Sequence, residues 1–119
     1  MPATVSELSR CRLLAQLSGE RLAELARRMR REEIPAGAAP VVEGQAGERF
    51  YVVLSGVFSV SQESMGPRRL LRPGDYFGEV DLAIGIPLTA SVRALTPSVV
   101  ASCDRAAFDE LIRPLFTAS

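Results

Sequence analysis

The sequence predicts a mainly β fold, an antiparallel roll with flanking helices, and three observations carry that expectation. From Ile34 onward, short apolar runs are separated by Gly and Pro at intervals of roughly 8 to 12 positions, the pattern of a sandwich or barrel. Before Ile34 the apolar residues recur at helical spacing instead, and after Asp104 a helical spacing returns. One domain of 119 residues follows, with helices over 1–33, the roll over 34–103 and a last helix over 104–113. That length can bury a core without covalent staples.

Leu8, Leu13, Leu14 and Leu17 suggest a short first helix. Ser18 is an N-cap for GERLAELARRM, in which Leu22, Leu25, Ala26 and Met29 share one face, and Leu17 is placed to staple onto Leu22. The cluster Arg27, Arg28, Arg30 and Arg31 is interspersed with Glu20, Glu24, Glu32 and Glu33, so a salt-bridged, solvated helix end is expected rather than a nucleic-acid footprint. IPAG, PVVEGQAG, RFYVVLSGVFSV and RRLLRPGDYFGE then supply strands and turns, with SQESMGP as a polar hairpin loop. SVRAL and SVVASC are two further strands. Asp104 caps the last helix, Phe108, Leu111 and Ile112 lie on one of its faces, and Pro114 is expected to break it. Tyr51, Tyr76 and Phe77 are expected to pack the interior rather than stack on a base.

Composition narrows the function classes. There is no His, which removes the ordinary triad, the imidazole base and the His-rich metal site of a cupin-type enzyme, so no enzyme activity and no metal are expected. The net charge is +0, so no general pull toward nucleic acid or acidic lipid is expected, and the basic residues are all Arg. No apolar run approaches the roughly 18 residues of a membrane span, and the N-terminus has no signal-peptide core. The expected setting is cytoplasmic, as a free protein or as the cytoplasmic domain of a larger membrane protein. Cys11 and Cys103 have no C-x-x-C partner and read as buried thiols, with a disulfide between them left open.

Three segments together resemble the cyclic nucleotide-binding domain family, of the cyclic-AMP receptor and protein kinase regulatory subunit type. IPAGAAPVVEGQAGERFYVVLSGVFSV is similar to its opening strands, LLRPGDYFGE to its approach to the nucleotide, and FGEVDLAIGIPLTASVRA, residues 77–94, to its phosphate-binding cassette. The resemblance covers nearly the whole chain and implies an eight-stranded jelly roll, or double-stranded β-helix, flanked by helices. It further implies a regulatory domain that couples cyclic AMP or cyclic GMP to an effector domain in the same polypeptide through a lid helix. On that basis the chain is expected to be one domain of a longer protein.

The cassette carries the candidate site. By the resemblance, the residue matching Glu79 accepts a hydrogen bond from the ribose 2′-hydroxyl. Gly78, the following amides to Val80, Thr89 and Ala90 match the family's phosphate-binding positions. Gly78 would let the backbone approach the ligand and open a helix whose free N–H groups face the anion. The position after the cassette proline carries the family's phosphate-binding arginine, and here it is Leu88. Losing one member of a desolvated charge pair typically costs about 2–5 kcal/mol, on the order of 30-fold to several thousand-fold in affinity. Asp81 adds a carboxylate in the first cassette turn, where family members usually carry a small neutral residue. Arg93 shares the outer face of its strand with Ser91 and is expected to face solvent, as are Arg68, Arg69 and Arg72. Weak or absent cyclic nucleotide binding is therefore expected, with a ligand-free interaction module on the same fold as the alternative. Neither reading calls for nucleic-acid contact or membrane insertion.

Overall fold

The fold is drawn from a computed structural model that describes residues 1–85 and 87–117, without the side chains of Arg68, Asp81 and Thr117. The N-terminal segment begins with a capping box: Thr4 Oγ1 accepts from the Glu7 amide at 3.1 Å, and a Glu7 carboxylate oxygen accepts from the Thr4 amide at 3.0 Å. It opens α1 (Val5–Leu8), and a 3₁₀ turn follows at Leu14–Gln16. The expected first helix is thus two pieces. Leu8, Cys11 and Leu14 are all fully buried, and their spacing of three suits the tighter winding. The second helix, α2 (Gly19–Arg28), is capped by Ser18, whose hydroxyl accepts from the Arg21 amide, and it buries Leu22, Leu25 and Ala26 as expected.

The first strand, β1 (Arg30–Ile34), starts earlier than Ile34, inside the segment read as helix end. Its residues RREEI alternate no apolar face, yet they pair antiparallel with β7 (Ser98–Asp104) from Arg30 opposite Ser102 to Ile34 opposite Ser98. Tertiary pairing overrides local propensity here. The charges fit an edge strand, where they discourage further pairing. The basic cluster is salt-bridged, to partially different partners: Arg28 with Glu110, Arg30 with Glu32 and Arg31 with Glu7.

The remaining strands are β2 (Arg49–Ser55), β3 (Phe58–Gln62), β4 (Gly66–Leu71), β5 (Tyr76–Phe77) and β6 (Ser91–Ala94). They form two antiparallel sheets in the orders β1-β7-β2-β5 and β4-β3-β6. Among the described residues this makes seven strands. Val41 forms an isolated bridge to Val92 where a jelly roll would have a further strand.

The first sheet is buried on both faces, which explains the unbroken apolar run FYVVL. Phe50 and Val52 point to a cluster under the helices, while Tyr51 and Val53 point into the roll with Phe58, Leu71 and Phe77. Both cysteines lie in the helical cluster as free thiols, which decides against the disulfide, and burial pushes the Cys103 thiol up to about 12.

After β7, Asp104 caps α4 (Arg105–Ala107) by accepting from the Ala107 amide at 2.9 Å. A π-helical turn at Phe108–Ile112 leads into α5 (Arg113–Thr117). Pro114 therefore does not end the helical segment. The widened turn places the proline in the first turn of α5, where its missing N–H is tolerated.

Candidate functional site

Phe77 ends β5 and α3 (Glu79–Ile84) begins two residues later, so Gly78 makes the corner. Its φ is +88°, and a Cβ there would lie 2.6 Å from the Arg49 carbonyl oxygen. The glycine is thus required by the backbone turn and by β2 packed beneath it, without any ligand. Leu82 of α3 is buried in the helical cluster, which anchors the helix from below. Asp81 sits on the same helix, but its side chain lies outside the described residues.

One cavity of about 140 Å³ opens at this corner. Gly78, Glu79 and Val80 line it from the cassette helix, and Leu88, Thr89 and Ala90 from the segment leading into β6. The fold therefore brings all the sequence-named cassette positions with described side chains around one space. Leu88 is nearly buried, in the cluster that holds Tyr51 and Phe77, whose rings stack at 4.8 Å. Its backbone is held on both sides: its N–H donates to the Gln45 carbonyl at 3.0 Å, and its carbonyl accepts from the Gly44 amide at 2.9 Å. Leu88 thus puts a side chain of the roll's core at the cavity wall. Thr89 is exposed, and its carbonyl accepts from Gln62 Nε2 at 2.9 Å.

Glu79 is half-buried beside the cavity, and no other described residue hydrogen-bonds its carboxylate. Burial raises its pKa above the ordinary 4.5, while its own backbone N–H and the Arg69 charge pull it back. A half-buried carboxylate with an open acceptor edge can take hydroxyl donors.

Arg93 lies as expected, on the exposed face of β6 opposite the buried Val92 and Ala94, with its guanidinium on the Gly37 carbonyl. Arg69 departs from expectation: although exposed, it lines the cavity next to Glu79. The signal was present in RRLL. Leu71 is fully buried inside the roll, and on a strand its second neighbour Arg69 shares that face. β4 pairs with β3 so that Arg69 faces Val60, and a register shift follows at Val60/Ser61.

Arg69 and Glu79 also border a second cavity, of about 370 Å³, on their other side. Beneath α3, the C-terminal segment grips the cassette helix. Arg113 donates to the carbonyls of Ala83, at 2.8 Å, and of Leu82, while Arg105 reaches the Leu82 carbonyl at 3.4 Å.

Residues 31–114 match the family model for the cyclic nucleotide-binding domain. A curated relative, the cAMP-dependent protein kinase regulatory subunit of Debaryomyces hansenii, is 37% identical over 103 residues, which is 87% of this chain and 23% of that protein. The chain thus spans about a quarter of that relative's length. Among solved structures, the regulatory subunit of a cAMP-independent protein kinase A from Trypanosoma brucei superposes with a TM-score of 0.88 at 24% identity, covering 93% of this chain and 41% of that one. A mutant of it, in which one of three substitutions puts arginine in place of threonine, is bound to cAMP in the A site. The Trypanosoma cruzi counterpart, bound to guanosine, superposes at 0.85 with 23% identity over 93% of this chain and 41% of that one. At these identities the structural likeness speaks for the fold.

Proposed function

We propose, from the premise that the chain belongs to the cyclic nucleotide-binding domain family, that it is a regulatory sensor domain whose cassette has weak or no affinity for cyclic AMP and cyclic GMP. The observation that carries this reading is Leu88, an apolar core side chain at the wall of the cassette cavity. A leucine offers a cyclic phosphate neither charge nor donors. The cavity volume of about 140 Å³ supports the same reading, since ligand pockets usually run from about 300 Å³ upward. Glu79, kept with an open carboxylate edge, supports retention of a hydroxyl-binding part of the site. The Trypanosoma cruzi protein's guanosine is a nucleoside without phosphate, a ligand whose demands this chain's cassette could meet.

Regulation would run through α3. The two arginines on the Leu82 and Ala83 carbonyls tie that helix to the C-terminal segment, so a ligand that shifts α3 shifts the segment leading to an attached effector. The identity of that effector domain, kinase-associated or other, is part of the proposal for the longer polypeptide. A ligand-free interaction module on the same roll is the second reading, favoured by the same Leu88.

Calorimetric titration with cyclic AMP, cyclic GMP and guanosine tests these readings. Neither cyclic nucleotide is expected to bind at micromolar concentration, and Leu88→Arg is expected to gain affinity for them by on the order of 30-fold or more. Tight cyclic nucleotide uptake by the unaltered chain would sink the cassette reading. A Leu88→Arg variant that folds with unchanged affinity would show that the pocket is elsewhere. Silence from every ligand would leave the interaction module standing.

A further inference from the structure

Beyond Glu79, the cavity of about 370 Å³ is walled by the N-terminal segment on one side and the β4–β5 connection on the other. Arg10, Arg12 and Arg69 all line it. Gly74 at the connection has φ +97°, and a Cβ there would lie 2.9 Å from the Arg10 carbonyl oxygen, so the turn is pressed against the backbone that carries Arg10.

The three guanidinium groups differ from most of the chain's others. Arg28, Arg31 and Arg113 are engaged by carboxylates, and Arg49 and Arg93 by Ser102 and the Gly37 carbonyl. The guanidinium groups of Arg10, Arg12 and Arg69 make no hydrogen bond or ion pair among the described residues. Two carboxylates share the lining: Asp75, which accepts from the Arg72 amide at 2.8 Å, and Glu79. The three arginines outnumber those two carboxylates, and the planar fork of arginine suits a phosphate.

We infer that this cavity is a phosphate site for a nucleoside 5′-monophosphate, with the phosphate on Arg10, Arg12 and Arg69 and the ribose hydroxyls on Glu79. Glu79 and Arg69 border both cavities, so a ligand held by Glu79 lies beside the arginines. A 5′-monophosphate leaves the 2′- and 3′-hydroxyls free for Glu79, whereas a 3′,5′-cyclic phosphate uses one of them. The inference rests on the reading of Glu79 as the ribose-binding acid, and it moves the anion from the Leu88 side of that acid to the arginine side.

The test compares guanosine, GMP and cyclic GMP, with the adenine series and inorganic phosphate alongside, by calorimetry and NMR on the whole chain. The monophosphate is expected to bind at least about tenfold tighter than its nucleoside, equivalent to roughly 1.4 kcal/mol. The advantage should shrink as salt is raised. In the double variant Arg10→Ala/Arg12→Ala, both sites being exposed and the fold undisturbed, that advantage should vanish while nucleoside affinity is kept. Arg69→Ala should lose it as well. Equal affinity for nucleoside and monophosphate, an advantage that survives in the double variant, or no binding of any of these ligands would overturn the inference. Inorganic phosphate that shifts the Arg10, Arg12 and Arg69 side-chain signals supports it. Tight cyclic GMP uptake indifferent to the double variant would instead overturn the cassette reading, so the two failures are separable.

Discussion

The helical cluster and the roll interior meet across the same sheet but differ in closure. Under the helices, Leu8, Leu14, Leu25, Phe50 and Phe108 are at 0% exposure, and Phe50 lies 5.6 Å from the rings of both Phe108 and Tyr76. Inside the roll, Phe58, Leu71 and Val100 are as closed, while Leu88 keeps 8% at the wall of a cavity. One strand serves both: Phe50 and Val52 seal the closed side, Tyr51 and Val53 furnish the open one. The closely packed core and the cavity thus lie on opposite sides of the sheet that contains β2, and α3 touches both, through Leu82 in the helical cluster and Glu79 at the cavity.

The largest effect expected from this division is on the closed side. Phe108→Ala removes a fully buried ring from among its aromatic neighbours and should cost about 3–5 kcal/mol in urea unfolding. A loss below about 1 kcal/mol would show that the helical cluster is loosely packed and that the contrast is unreal.

A smaller loss is expected at the corner between the two sides. Gly78→Ala forces a side chain into a left-handed backbone and onto the Arg49 carbonyl, and it should cost about 1–3 kcal/mol with no ligand present. If thermal unfolding of the free variant matched that of the parent while nucleoside binding fell, the glycine would instead be serving the ligand.

The smallest effect is on the open side. Burial raises the Glu79 pKa, so the folded state keeps a proton that the unfolded chain has released. The stability this contributes is fully present below the ordinary value of 4.5 and is lost as pH rises through the raised folded one. Glu79→Gln should therefore flatten the fall in stability above that ordinary value. A pH profile identical to the parent's would mean that the carboxylate is not confined as its burial indicates.

Much of this molecule is legible in its residues alone. Glycine and proline spacing announces the roll, the caps at Ser18 and Asp104 follow from local hydrogen bonding, and the cassette positions stand in order along the chain. Other features are not legible there. RREEI carries no strand pattern and is held as β1 by its pairing with β7 and by the bridge from Pro2 to Arg30. Pro114 announces a helix end that the wider π turn makes unnecessary.

Arg69 divides the two kinds of knowledge. Its side of the strand can be counted from Leu71, but nothing in one dimension says that Arg10 and Arg12, far earlier in the chain, come to the same hollow. Local periodicity and capping act over a few residues, so the residues alone settled the roll's grammar, the helix caps and the leucine that follows Pro87. Which distant charges share a space, and whether a leucine fills a wall or faces water, depends on how sheets and helices pack, which no local pattern encodes.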